Sequence, residues 1–408
     1  MRRRALPLLA VVALTLGAAL PGALAGSEGD PGVTPTSILL GSTVPLSGPA
    51  AAFGSIAYGA EGYFKYVNGH GGVNGRKIQF DFLDDAYDPA QTVQQTRRLV
   101  EQDRVFAIVN SAGTEHVEAV RPYLNQQGVP QLFVGSGATS LGTDYKTYPW
   151  TMGYLPSFSA EGYIYGSYIA RTAPTATIAA IFEDSDFGKN LLSGLKRGLG
   201  TRRRQLVAAQ AYDVTAADVS SQIATLKASG ADTLMIFATP KAAIQSYIAA
   251  YKLGWKPHVY ISSVSIAPAI MDIARFNSGQ TTEGSISIVF IKDPTNVKVW
   301  GKDPGVVLYR SIMKRYEPGR NANDAYHEYG MAVAFTTVDA LKKAGRNLTR
   351  RGFLNAALHL DETTNPFLLP GIAIKTSPTD HFPLDQAQLY RYQGGVWRGF
   401  GPLLRARL

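Results

Sequence analysis

The sequence contains no cysteine. That excludes disulfides, thiolate metal ligands, cysteine nucleophiles and the lipid-carrying cysteine of an exported lipoprotein, so the redox compartment is not marked. Histidine is sparse as well. His70, His116, His258, His327, His359 and His381 are scattered, with no HExxH pair or close spacing to hold a metal. A GxSxG nucleophile elbow and a P-loop are both missing. Beyond the N-terminus, no run approaches the ~18 apolar residues that a spanning helix needs. Bases outnumber acids 40 to 31, for a net charge of +9. Three of these bases are Arg2-Arg3-Arg4 at the N-terminus, and part of the remaining excess is local, at Arg202-Arg203-Arg204 and at Arg346, Arg350, Arg351. Without interleaved aromatics or a recognised motif, these clusters read as solvated faces and predict no nucleic-acid partner.

What is present starts with an export signal. Arg2-Arg3-Arg4 is a positive n-region, Ala5 to Leu20 a short apolar stretch, and Ala23-Leu24-Ala25 a small-x-small cleavage pattern. Residues 1–25 are expected to be removed; a retained anchor is the rival reading, but Pro7 and Pro21 interrupt the flanks of a short run. The mature protein is then extracytoplasmic, periplasmic or secreted, with no stable membrane insertion. Its length exceeds what one core usually serves, so two domains are expected.

The chain is organised around Phe106 to Thr139. Ile108-Val109 runs into Asn110-Ser111-Ala112-Gly113-Thr114, and Gln131 to Val134 runs into Gly135-Ser136-Gly137-Ala138-Thr139. Between them Val117, Val120 and Leu124 keep helical spacing. Such a βαβ unit needs parallel strands, and ligands collect at their carboxyl ends, where both small-residue turns lie. Upstream, Ile38 to Val44 and Lys77 to Leu83 read as strands, with helices from Phe53 and from Asp88-Pro89, a capping aspartate with proline at the first helical position. After a Pro/Gly-punctuated boundary at Tyr148 to Pro156 the alternation restarts. It gives strands near Thr177, Gln205, Thr233 and His258, with a capping-box-like Thr215 and Asp218. From Glu283 come one strand, three helical patterns and a terminal hairpin around Gly394-Gly395.

This order predicts an α/β protein of two doubly wound lobes: 36–154 with 285–371, and 155–284 with 372–408. Gly153, Gly284 and Gly371 are the candidate crossing points. The acids Asp81, Asp84, Asp85, Asp88 and Glu183, Asp184, Asp186 follow strands, where caps and turns explain them more cheaply than acid–base chemistry. Gly135-Ser136-Gly137 resembles a dinucleotide loop but lacks GxGxxG and is not the first βα turn, so no cofactor is expected. A binding cleft fits better. Ser111 and Thr139, with backbone N–H groups near Ala112, Gly137 and Ala138, have the donors to hold a carboxylate. Phe53, Phe187 and Tyr326 are candidate aromatic walls, although aromatics at such positions serve equally as core.

Several segments, in order, carry a family pattern. They are Gly41 to Gly48 with Phe53-Gly54, Gly71-Gly72-Val73-Asn74-Gly75-Arg76-Lys77-Ile78, Asp84-Asp85-Ala86-Tyr87-Asp88-Pro89, the two small-residue turns, and Asp186-Phe187-Gly188. The chain resembles the extracytoplasmic solute-binding proteins of branched-chain amino acid ABC transporters, a type I periplasmic binding fold. The resemblance implies two Rossmann-like lobes joined by three crossovers, closing on a small molecule that a membrane permease then receives. It also implies no enzymatic activity. An exported sensor of the same fold feeding a signalling partner is the alternative.

The resemblance places Ser111 and Thr139 at the hydroxyls that hold the ligand's carboxylate and ammonium, with Ala112, Gly137 and Ala138 as backbone contacts. Phe187 stands where a ligand-contacting tyrosine is frequent. Two positions depart from the pattern. Where the amino acid binders carry an acid for the ammonium, this chain has Ser262-Ser263-Val264-Ser265, with Val264 nearest; a second tyrosine is replaced near Ala238-Thr239. A buried ammonium without a carboxylate is costly. The expected ligand is therefore a carboxylate or a largely apolar, aromatic molecule, with a true branched-chain amino acid as the alternative.

Overall fold

The computed structural model describes residues 30–405; the export signal expected at 1–25 lies outside them. Five strands build the first sheet: β1 (Ser37–Val44), β2 (Lys77–Asp84), β3 (Ala107–Val109), β4 (Gln131–Val134) and β5 (Thr151–Gly153). Their order is β2-β1-β3-β4-β5, all parallel. The second sheet starts with β6 (Ile178–Glu183), β7 (Leu206–Tyr212), β8 (Thr233–Phe237), β9 (His258–Ile261) and β10 (Ile286–Val289). A small antiparallel pair follows, β11 (Asp361–Glu362) with β12 (Ile374–Lys375). The hairpin β13 (Gln386–Gln393) and β14 (Val396–Arg405) then completes the order β14-β13-β10-β9-β8-β6-β7. The fold is the two-lobed Rossmann-like arrangement that the alternation predicts.

Burial explains the strand sequences. Thr233 to Phe237, in the middle of its sheet, is buried at every residue and reads as a continuous apolar run, whereas β7 at the edge exposes alternate residues. Gly394 and Gly395 both have positive φ, 59° and 82°, which a two-residue hairpin turn demands. Asp88 caps the helix Pro89–Arg97, accepting from the N–H groups of Ala90 (2.7 Å) and Gln91 (3.1 Å). The Thr215/Asp218 signal marks a turn instead. Thr215 Oγ1 donates to Asp213, and the helix begins at Ser220, whose N–H donates to Asp218. Arg350 is no solvated charge either: its guanidinium donates to the carbonyls of Val105 (2.8 Å) and Phe106 (2.9 Å) ahead of β3.

The chain passes between sheets three times, and two of the expected boundaries move. β10 is hydrogen-bonded between β9 and β13, so the stretch from 285 does not return to the first lobe; the second passage is Phe290–Lys292. Likewise β12 pairs with β11, which Thr336 Oγ1 bonds at Glu362, and Thr376 donates to the Ala357 carbonyl, so the third passage follows Lys375 and not 371. The first passage leaves β5 through Tyr154, whose hydroxyl lies 3.1 Å from Thr336 Oγ1 on the helix Ala325–Ala344. The second passage is tied to its neighbour by Lys292 N–H to Phe367 O and Leu369 N–H to Phe290 O.

The Ala325–Ala344 helix packs on the helix Ser55–Gly69 through glycine. A Cβ on Gly59 would stand 1.9 Å from the His327 carbonyl, and one on Gly330 2.0 Å from that of Ile56. This close approach holds the N-terminal turn of the long helix over the cleft. Gly59→Val therefore separates the pair and costs about 3 kcal/mol or more, the upper range for an overpacked core; a fall in the urea midpoint at unchanged m-value checks it.

Near the passages, burial pushes Glu362 up to about 7, opposed by hydrogen bonds from Asn365 and Thr336 and reinforced by Asp339. The folded state thus binds this proton more tightly than the unfolded chain. The stability is fully present below the ordinary glutamate range and is lost as pH rises through about 7. Glu362→Gln should remove that slope, a difference of the order of 3 kcal/mol between pH 4 and 8, read as the pH dependence of the urea midpoint in the two proteins.

Candidate functional site

In each sheet the first strand lies between two later ones: β1 between β2 and β3, β6 between β7 and β8. Connections diverge there, leaving a crevice at the carboxyl ends of the strands. From the first crevice come Phe53 and the turn Ala112-Gly113-Thr114; from the second come Phe187 and Thr239, with Ser263 and Val264 after β9. The passages add Leu155, Phe290 and Ile291, and the long helix adds Tyr326 and Tyr329. Together these surround a cavity of about 660 Å³, its open mouth included.

The lobes are closed on it. Tyr326 Oη donates to the Val264 carbonyl across the cleft at 2.8 Å. At the rim, the Thr139 N–H donates to Asn190 Oδ1 at 2.8 Å, and Thr139 Oγ1 donates to Ser159 Oγ at 2.8 Å. Aromatic rings meet edge to face around the cavity, Phe53 on Tyr326 at 5.4 Å and Phe158 on Phe187 at 4.8 Å. Such pairs prefer this geometry, and the rings present flat apolar walls.

Six of the ten expected site residues line the cavity: Phe53, Ala112, Phe187, Thr239, Val264 and Tyr326. Four do not, and their polar groups are engaged elsewhere. Ser111 Oγ accepts the Thr43 N–H at 3.1 Å inside the first sheet. Thr139 is a lobe-to-lobe contact. Gly137 is pressed against the second lobe, where a Cβ would stand 2.3 Å from the Pro156 carbonyl, and its own carbonyl accepts the Phe158 N–H. Ala138 is packed with Val117, Val134 and Leu141, its N–H donating to Ser136 Oγ. Ala112 keeps its place in the wall, but its N–H donates to Thr43 O, so it contributes a methyl and not a donor.

The wall holds residues that the sequence alone did not single out. Tyr87 is one, and the acids around it explain how it gets there. Asp84 accepts the Ala86 N–H and Asp85 the Tyr87 N–H, holding both residues at positive φ (50° and 57°). That left-handed pair is strained for non-glycine residues. It turns the Tyr87 ring into the cleft against His116, 4.0 Å between centroids. Burial lowers the His116 pKa and so favours the neutral imidazole. Tyr329 follows Tyr326 by three residues on one helix face, a spacing that could have revealed it. Phe158, Phe290 and Ile291 gave no such signal, because they sit where the chain passes between lobes.

Two buried acids stand behind the wall. Glu183 accepts from Ser185 Oγ (2.8 Å) and Tyr212 Oη (3.1 Å), and that tyrosine in turn accepts the Thr239 N–H (2.9 Å). Glu161 accepts from Tyr165 Oη (2.9 Å) and from the N–H (2.7 Å) and Oγ (2.8 Å) of Ser263. Burial raises both carboxyl pKa values, with these hydrogen bonds opposing. Their work is to fix Thr239 and Ser263. Among the described residues, no cluster of His, Asp and Glu could hold a metal ion, and no helix is long and apolar enough to cross a membrane.

Comparison with known proteins agrees with this architecture. Leu/Ile/Val-binding protein homolog 7 of Brucella melitensis is 27% identical over 261 residues, 62% of this chain; the chain spans 63% of the length of that relative. Homolog 1 of Brucella suis is 26% identical over 76% of this chain and 79% of its own. A branched chain amino acid ABC transporter structure from Thermus thermophilus with bound valine superposes with a TM-score of 0.81 at 18% identity, covering 91% of this chain and 97% of that one. The fatty acid ABC transporter substrate-binding protein from Thermomonospora curvata gives 0.79 at 20% identity, covering 93% and 95%. A family model for periplasmic binding proteins matches residues 37–396, and the chain belongs to that family of extracytoplasmic solute-binding proteins.

Proposed function

We propose that the protein captures a small, largely apolar monocarboxylate between its lobes and that the closed form hands it to an ABC transporter permease. One observation carries the reading: the cavity wall has seven aromatic side chains, Phe53, Tyr87, Phe158, Phe187, Phe290, Tyr326 and Tyr329, and no charged one. An α-ammonium placed there meets no carboxylate in the wall, since Glu161 and Glu183 stand behind it and already accept from protein donors. A carboxylate is better served. The helix Thr114–Gln126 starts at the wall with Gly113 and Thr114, and first-turn N–H groups favour an anion without a cation nearby. The wall's other polar groups are Thr239, Ser263 and the hydroxyls of Tyr87, Tyr326 and Tyr329, the last buried without a hydrogen-bond partner.

The names of relatives and neighbours support both ends of the ligand range, Leu/Ile/Val and valine on one side and fatty acid on the other. A branched-chain amino acid remains the second reading on those names. A thermal-shift and calorimetry panel separates them: benzoate, phenylacetate and butyrate should stabilise the protein, by about 2.7 kcal/mol at a hundred times Kd, while leucine and valine should not. Strong stabilisation by leucine or valine alone overturns the proposal.

A paired substitution tests the division of labour among hydroxyls. Ser111→Ala leaves the Thr43 N–H unpaired and should cost about 1–3 kcal/mol of stability, with Kd for the best acid of the panel within twofold of wild type. Thr114 Oγ1 also lies 2.8 Å from Ser136 Oγ, so Thr114→Val should weaken that binding several-fold and cost stability as well. Isothermal titration and urea unfolding on both variants read the two effects separately.

A further inference from the structure

A second recess of about 570 Å³, its open mouth included, lies directly beyond the first cavity. The two share four residues, Ser263, Phe290, Ile291 and Tyr326, which form the partition between them. The far walls are Ile266, Ala267, Pro268, Val289, Tyr390 and Trp397. This lining is mostly apolar, and several of its polar atoms are engaged. Trp397 Nε1 donates to the Ile266 carbonyl at 3.0 Å, leaving the indole face as wall. At the far end, Lys292 Nζ is bonded to Asp303 Oδ1 and to the Pro366 carbonyl, both at 2.7 Å. Asp293 Oδ1 accepts from the N–H (2.8 Å) and Oγ1 (2.7 Å) of Thr295. A ligand headgroup would find few uncommitted partners here, whereas an apolar chain would find Ile, Val, Pro and aromatic surface.

The partition is not a continuous backbone wall. Tyr326 crosses it as a side chain, held at its tip by the hydrogen bond to the Val264 carbonyl and flanked by Phe53. Rotation of that one ring while the lobes are apart would join the two spaces, and re-forming the bond would close the neck around whatever threads it. An apolar recess that shares its wall with a binding cavity is placed to take the apolar part of a ligand.

We propose that the recess is the tail subsite of the same cleft, and that the ligand is an elongated monocarboxylate: carboxylate in the first cavity, apolar chain past Tyr326 into the second. This rests on the apolar-carboxylate reading above and narrows it to chain-bearing acids. Ala267 and Ile266 line only the recess, so filling it from either position spares the first cavity.

The test is calorimetric titration of straight-chain carboxylates from butyrate to dodecanoate, below their micelle concentrations, on wild type, Ala267→Phe and Ile266→Trp. In wild type, affinity should rise roughly fourfold per added methylene, the worth of a buried methylene, and continue to rise through the long members. In the filled variants butyrate should bind within twofold of wild type, which also shows that the cleft is folded, while decanoate and dodecanoate should lose tenfold or more. Wild-type affinity that levels off after the short acids, or filled variants that weaken short and long acids alike, overturns the tail subsite and leaves the carboxylate reading standing. If no member of the series binds wild type, the tail subsite falls, and benzoate and phenylacetate in the panel above decide the carboxylate reading separately.

Discussion

The carboxyl ends of the parallel strands in two sheets point at one another across the cleft, and everything else in the molecule serves or exploits that constraint. Parallel strands need helical crossovers, so helices start and side chains emerge on the side where the lobes meet. The loops after β1 and β3 in one sheet, and after β6 and β8 in the other, are the places where a ligand can reach backbone and side chain together. The helix Ala325–Ala344 is the piece that does not follow from the alternation. It belongs to the first lobe by its glycine-mediated packing on Ser55–Gly69, yet its first turn carries Tyr326 to the second lobe.

The hydroxyls of this cleft show why residue type is a poor guide to role. Ser111 and Thr114 are three residues apart in one turn. The first accepts a backbone N–H from the neighbouring strand and stays out of the wall; the second lines the cavity, its hydroxyl 2.8 Å from Ser136 Oγ. Leaving the Thr43 N–H unpaired in the core would carry the full desolvation cost of a buried donor, and the serine prevents it. Asp84 and Asp85 are similar. As their place after a strand suggests, they serve a turn and not acid–base chemistry, holding the strained pair that aims Tyr87.

The βαβ alternation, the capped helix at Asp88, the terminal hairpin and the apolar central strands were legible in the sequence, because period and turn chemistry act over a few residues. The lobe boundaries at 285 and 371 were not, since which sheet accepts β10 or β12 depends on partners far along the chain. The helix Pro268–Ser278, short and buried only at Ile270, Met271, Ala274 and Ser278, left too little pattern to read. At the site, the loop aromatics Phe53 and Phe187 were readable after their strands, whereas Thr239 and Val264 came only from the family resemblance. The orientation of Ser111, Ala138 and Thr139 within their turns was not: one rotation about the backbone decides whether a side chain faces ligand or core. Phe290 and Ile291 owe their place to the passage between lobes, which has no local signature.

Closure itself can be weighed. In the cleft the lobes are joined by the Tyr326 hydrogen bond to Val264, and such a bond contributes about 1 kcal/mol net. Moving an open–closed equilibrium from 1:99 to 99:1 takes about 5.5 kcal/mol of differential affinity. An apolar ligand supplies that by contact with the second lobe alone if it buries about 220 Å² there, at about 25 cal/mol per Å². Phe187, Val264 and Phe290 offer such contact, and they do so only when the lobes are together. A ligand held by the first lobe alone would bind without closing the cleft, however tightly it was held. The physical requirement on the solute is therefore a body long or broad enough to touch both walls at once, and the aromatic second wall converts that contact into closure.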